Sequence, residues 1–170
     1  MINIVLYEPE IPQNTGNIMR TCVAFKMKLH LIEPLGFSLD DRYLKRSGMD
    51  YIKELDYQIY KNYEEFSKLN NKGQFVYLSR YGLKTFDECI FNKNEDIYIM
   101  FGKESTGIDK NILKNNLDKT YRLPMKADSR SLNLSNCVAI ASYECLRQIG
   151  FDGLALKEEI KGNDFLLKTQ

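Results

Sequence analysis

Short runs of β-branched and aromatic residues alternate with amphipathic segments along the whole 170-residue chain, and that alternation decides the fold class. The runs fall at residues 3–7, 28–32, 51–55, 74–79, 96–101 and 120–125. Several are apolar almost throughout, as in Ile97-Tyr-Ile-Met-Phe101. A strand with two apolar faces must be covered on both, which happens in parallel sheets flanked by helices. The intervening segments agree. From Gly16 to about Phe25, Ile18, Cys22 and Phe25 share one helical face, with Asn14 or Thr15 as the cap. Asn62-Tyr-Glu-Glu65 has capping-box spacing ahead of Phe66 and Leu69. The last long helix carries Leu134, Val138, Cys145 and Ile149 on one stripe and stops at Gly150. The expected fold is a single α/β domain over residues 1–155, a mostly parallel sheet with helices on both faces. A charged tail, 156–170, follows it.

Composition removes several functions. With 44% hydrophobic side chains, the chain can bury a sizeable core and is not disordered. Its 24 basic and 23 acidic residues nearly cancel, so a nucleic-acid partner has to be held by local patches. No apolar run approaches the roughly 20 residues of a membrane span. The start, Met1-Ile-Asn-Ile-Val-Leu-Tyr7, lacks a basic leader and reads as a first strand, so a cytoplasmic protein without membrane attachment is expected. Cys22, Cys89, Cys137 and Cys145 form no C-x-x-C pair and have mostly apolar neighbours, the pattern of reduced core thiols. No two of the ten glycines are separated by a single residue, so the G-x-G of dinucleotide-binding turns is absent. Gly102 and Gly107 have phosphate-loop spacing, but Ile108-Asp109 stands where Lys and Ser or Thr are required. That argues against a nucleoside triphosphatase. The lone His30 has no acidic or Cys neighbour at ligand spacing and reads as structural, and no metal site is expected.

The most chemically loaded stretch runs from Arg122-Leu-Pro-Met125 into Ser129-Arg-Ser-Leu-Asn-Leu-Ser-Asn136. A helix start needs one polar cap. Here Ser129, Ser131, Asn133, Ser135 and Asn136 all compete for that place, and the surplus points to a ligand. Two further segments share this character. One is Asn14-Thr-Gly-Asn17-Ile-Met-Arg20, on a strand-to-helix turn. The other is Ile99-Met-Phe-Gly102-Lys-Glu104-Ser-Thr-Gly107, a buried strand opening into a polar glycine loop.

In this order the three segments resemble the three motifs of the SpoU-TrmD (SPOUT) methyltransferases. Asn3-Ile-Val-Leu-Tyr-Glu-Pro-Glu-Ile-Pro12, Ile32-Glu-Pro34, Asp128-Ser-Arg-Ser131, Asn133-Leu-Ser-Asn136, Tyr143-Glu144 and Arg147-Gln-Ile-Gly150 are similar to one subfamily in particular. That subfamily is the small tRNA 2'-O-methyltransferases, which modify the wobble cytidine or 5-modified uridine. The likeness covers about residues 1–155. It implies S-adenosylmethionine as cofactor, the tRNA anticodon stem-loop as substrate and a homodimer. It also implies a C-terminal trefoil knot, which general rules of chain topology argue against. The first motif begins at Asn14, which leaves no room for the RNA-binding extension of longer relatives, so a minimal catalytic domain is expected.

Residue by residue, the resemblance implies cofactor contacts at Leu78, Gly102, Leu123 and Ser131 and catalytic roles for Arg20 and Asn133. It implies substrate contacts at Asn14, Arg20, Glu104 and Arg130. On pattern alone, Leu78 and Leu123 are equally core residues, and Arg20 is a solvated arginine opposite the Ile18–Cys22–Phe25 stripe. Glu104 and Asn133 are equally loop-stabilising groups, and Tyr143 is on pattern alone an ordinary helix residue, which the resemblance implies would face the knot or the dimer. Arg42, Lys45, Arg46, Lys103, Lys126 and Arg130 are the candidate basic contributors to an RNA surface. One departure from the pattern is the helix exit Phe25-Lys26-Met27, where relatives more often carry a small residue or glycine. The alternatives are the same chemistry on another RNA, such as ribosomal RNA, and a non-catalytic RNA-binding dimeric module.

Overall fold

The computed structural model describes residues 1–39 and 53–168. Its strands are β1 (Ile2–Tyr7), β2 (Lys28–Ile32), β3 (Tyr57–Tyr60), β4 (Gln74–Leu78), β5 (Lys84–Thr85), β6 (Ile97–Phe101) and β7 (Thr120–Arg122). They form one seven-stranded sheet in the order β3-β2-β1-β6-β4-β7-β5, every pairing parallel. The helices are α1 (Pro12–Ala24), α2 (Tyr63–Leu69), α3 (Lys110–Lys114), α4 (Leu134–Ile149) and α5 (Phe165–Lys168).

Strand side chains point alternately to opposite faces, and both faces are apolar as expected. Ile4 and Leu6 of β1, Leu29 and Leu31 of β2, and Ile99 and Phe101 of β6 share a core with Ile18 and Cys22 of α1 and Val138 and Cys145 of α4. On the other face Val5, Tyr77, Tyr98 and Met100 meet Phe66 of α2 and Leu113 of α3. The result is three layers, helices on both sides of a parallel sheet. Cys22, Cys89 and Cys145 are buried free thiols, and burial pushes Cys89 up to about 11 and Cys145 up to about 12.

His30 works inside this core. Asn3 donates from Nδ2 to the carbonyls of Met1 and Ile97, which leaves its Oδ1 as the acceptor 3.0 Å from His30 Nε2. The ring therefore carries its proton on Nε2, and Nδ1 accepts from the Tyr60 hydroxyl at 2.7 Å. Tyr60 accepts in turn from Asn70, whose Oδ1 accepts from Tyr98. Burial holds the histidine down at about 4.

Three expectations need correction, and one strand was not foreseen. The strand expected at 51–55 lies partly outside the described residues; Lys53 and Glu54 form a turn, and the strand is Tyr57–Tyr60. This edge strand buries only Tyr60, so its apolar pattern is weak in the sequence. The two-residue β5 is too short to leave a pattern at all. β7 stops at Arg122 instead of reaching residue 125. Pro124 has no N–H for the ladder. Finally, α1 begins at Pro12, with Ile11 in the cap position and neither Asn14 nor Thr15 capping it. Proline suits the first helical turn because its missing N–H is not needed there. At the other end of α1, Lys26 adopts φ 51, the conformation that glycine would fill without strain. Its Nζ donates to the Gly153 carbonyl at 2.6 Å.

Two other helix ends follow the sequence. Asn62 accepts the Glu65 N–H, while the Glu65 carboxylate accepts the N–H of Lys61. Gly150 closes α4 in the left-handed region.

Candidate active site

In a parallel sheet all strands end on one edge, and ligands of open α/β sheets bind in the crevice outside it. The adjacent strands β6, β4 and β7 end at Phe101, Leu78 and Arg122. Gly102 and Leu123 follow directly, so Leu78, Gly102 and Leu123 stand at three neighbouring strand ends. All three are partly exposed. Leu78 and Leu123 thus offer apolar surface at an edge where the backbone leaves the ladder. Gly102 has a reason of its own: a Cβ there would lie 2.1 Å from the backbone of Gly107 and Ile108. The loop folds back on itself, with the Gly107 N–H donating to the Lys103 carbonyl at 2.9 Å.

Polar side chains from the three sequence motifs meet in one relay. Glu104 accepts from the N–H groups of Glu10 (2.9 Å) and Ile11 (3.3 Å) and from Asn14 Nδ2 (2.9 Å). Its charge sits at the start of α1, where the helix dipole favours an anion. This carboxylate, 90 residues from Asn14 in sequence, serves the helix start that Ile11 leaves without a side-chain cap. Asn14 is buried, and its Oδ1 accepts from Asn133 Nδ2 at 2.9 Å. Asn133 is itself the cap of α4: its Oδ1 accepts from the N–H groups of Ser135 (2.9 Å) and Asn136 (3.3 Å) and from the Ser135 hydroxyl (2.6 Å). Of the five polar residues competing for that place, Asn133 takes it.

The loops around the relay are stitched by groups that the sequence reading did not single out as partners. Lys103 Nζ pairs with Glu8 at 2.6 Å, and this hydrogen bond raises the lysine's pKa. The Glu10 carboxylate accepts from the Ser105 N–H and hydroxyl at 2.9 and 2.8 Å, bonds that lower its pKa. The available signal was the match of alternating acids in Glu8-Pro-Glu10 with Lys103-Glu104-Ser105.

The remaining candidates lie around this frame. Arg20 is exposed on α1, on the side away from the core face and six residues, about 9 Å of helix rise, beyond Asn14. Arg130 and Ser131 are exposed on the loop between β7 and α4. Of the basic residues expected on an RNA surface, Lys103 is engaged by Glu8 and Lys126 pairs with Asp128 at 3.0 Å. Arg42, Lys45 and Arg46 lie outside the described residues. Among the described residues no helix is long and apolar enough to cross a membrane.

Comparison with known proteins places this architecture. Residues 1–143 match the model of the SpoU rRNA Methylase family. The chain is 44% identical over 154 residues to a tRNA (cytidine(34)-2'-O)-methyltransferase of Saccharophagus degradans, covering 90% of this chain and 99% of that one. It is 40% identical over 159 residues to the protein of the same name from Escherichia coli, covering 93% of this chain and all of that one. A solved structure described by its work on 2-OH methylation of C/U34 on tRNA superimposes with a TM-score of 0.82 at 39% identity, over 88% of this chain and 96% of that one.

Proposed function

Given that the chain belongs to the SpoU methylase family, we propose that it is an S-adenosylmethionine-dependent tRNA 2'-O-methyltransferase. Its target is the ribose of the wobble nucleotide, cytidine or 5-modified uridine. The observation that carries this reading is the 40–44% identity to two tRNA (cytidine(34)-2'-O)-methyltransferases over nearly their whole length.

The carboxyl edge of the sheet fits the cofactor. Two partly exposed leucines at neighbouring strand ends provide apolar walls for a purine, and backbone groups beyond the ladder provide hydrogen-bond edges. We assign Leu78, Gly102, Leu123 and the Ser131 hydroxyl to holding it. Bound there, S-adenosylmethionine supplies an electrophilic methyl group. The chain's own residues contribute placement and charge. Arg20 carries a guanidinium, a side chain that serves as a cation and hydrogen-bond donor and has no acceptor for a proton. It therefore orients an RNA phosphate beside the target ribose and does not take the proton. Arg130 adds positive charge on the loop that carries Ser131. Asn14, Glu104 and Asn133 act by fixing the start of α1, which carries Arg20, and the start of α4, which follows the loop of Arg130 and Ser131. Holding reactants in line supplies about 7–11 kcal/mol of a barrier by itself, so this placement is chemically substantial.

The active form is a homodimer in this reading, and its surface is the outer side of α4. Asn136, Ile140, Tyr143 and Arg147 recur there at helical spacing, with Ile140 48% and Tyr143 56% exposed. Burying such residues against a symmetric copy removes apolar surface from water. The protein acts in the cytoplasm on tRNA.

The test is nucleoside mass spectrometry of tRNA from a strain lacking the gene. A 2'-O-methylated pyrimidine nucleoside at the wobble position should vanish and return when purified protein and cofactor are added. An unchanged profile rules the function out.

A further inference from the structure

A turn beside the same strand ends is built for contact, and none of the assigned residues lies on its tip. After β4 ends at Leu78, the Ser79 N–H donates to the Tyr121 carbonyl of β7 at 2.9 Å. The chain then reverses. The Gly82 N–H returns to the Ser79 carbonyl at 3.1 Å, and the Ser79 hydroxyl accepts the Tyr81 N–H at 3.2 Å. Arg80 and Tyr81 are therefore the central residues of a four-residue turn. Gly82 lets the turn lie directly on β7, since a Cβ would come within 2.3 Å of the Tyr121 carbonyl carbon. The turn is thus anchored at its base, while Arg80 is exposed and Tyr81 is 60% exposed at its tip.

A single exposed tyrosine is ordinary. An arginine next to it, on a fixed turn leaving the same edge as Leu78, is a different case. It is the combination by which single-stranded nucleic acids are held, a ring for base stacking and a cation for the backbone. We propose that Arg80 and Tyr81 form an RNA contact, with Tyr81 stacking on an unpaired base of the substrate loop and Arg80 meeting a phosphate. This rests on the reading of the protein as an RNA methyltransferase.

The experiment measures steady-state methylation of an anticodon stem-loop by wild type, Tyr81→Ala, Tyr81→Phe and Arg80→Ala. Tyr57→Ala, on the strand at the far end of the sheet, serves as the control. Tyr81→Ala should raise KM roughly tenfold, with kcat and Tm unchanged, and Tyr81→Phe should behave as wild type. Arg80→Ala should reduce the slope of log affinity against log salt by about one. An unchanged KM in Tyr81→Ala, or an equal rise in Tyr57→Ala, overturns the proposal. So does an effect of Tyr81→Ala on self-association alone, which would give the ring to a protein interface. If wild type methylates no RNA, it is the enzyme reading that fails. The contact is then judged by anisotropy with labelled single-stranded RNA, where equal affinities of wild type and Tyr81→Ala overturn it.

Discussion

Asn133 donates a hydrogen bond to Asn14 at 2.9 Å across 119 residues of sequence, joining the cap of α4 to the first turn of α1. Asn14 passes the connection on to Glu104, so one buried side chain ties together loops from both ends and the middle of the chain.

Asn14→Ala should therefore leave two polar groups without their partner and lower stability by about 1–3 kcal/mol. Asn14→Asp should cost more near neutral pH, where it sets a second carboxylate against Glu104. Urea denaturation of both variants checks this. A double-mutant cycle with Asn133→Ala should show coupling of at least about 0.5 kcal/mol. Strict additivity would mean that the relay is not cooperative.

The relay also marks where sequence reasoning stops. The alternation of apolar strands and helices was legible in the pattern, but Leu78, Gly102 and Leu123 were named only through the family resemblance, and Leu123 lay inside the expected 120–125 strand. Asn133 was one of five polar residues competing for the cap of α4. Asn14 looked like a helix cap for the same local reason. Its partner Glu104 is supplied by tertiary structure and leaves no local trace. β3 was misplaced because three of its four residues are exposed, so it carries no strong apolar pattern. Lys103, one of the six basic residues expected on an RNA surface, pairs with Glu8, a partner 95 residues away in sequence.

The buried histidine predicts acid sensitivity. Its pKa falls from the ordinary 6.5 to about 4 in the folded chain, so the unfolded state binds the extra proton between these values. Stability is full above about pH 6.5 and declines as pH drops toward 4, by about 3 kcal/mol in all. Because His30 is the only histidine, its titration can be followed directly by NMR. A folded-state midpoint near 6.5 would contradict the account.

Gly102→Ala should destabilise through overpacking, because the new methyl would meet the backbone of Gly107 and Ile108, which cannot rotate away. The expected loss is about 1–3 kcal/mol, read as a lower Tm. An unchanged Tm would show that the loop has room the geometry denies it.

Ser131→Ala and Arg20→Ala should separate cofactor binding from turnover. Loss of the hydroxyl should weaken S-adenosylmethionine binding by the about 0.5–1.5 kcal/mol of an ordinary hydrogen bond. Arg20→Ala should leave that affinity nearly unchanged and lower kcat about 10²–10³-fold, the range for losing one charge-stabilising donor. Calorimetry finding cofactor binding abolished in Arg20→Ala would move this residue to the cofactor side.

The central claim is methyl transfer to one ribose oxygen in an anticodon loop. The most direct measurement compares two synthetic anticodon stem-loops, one natural and one with a 2'-deoxy sugar at the wobble nucleotide only, each incubated with the protein and labelled S-adenosylmethionine. The account predicts labelling of the natural stem-loop and none of the deoxy one. Equal labelling of both, or labelling of ribosomal RNA with neither stem-loop modified, would contradict it.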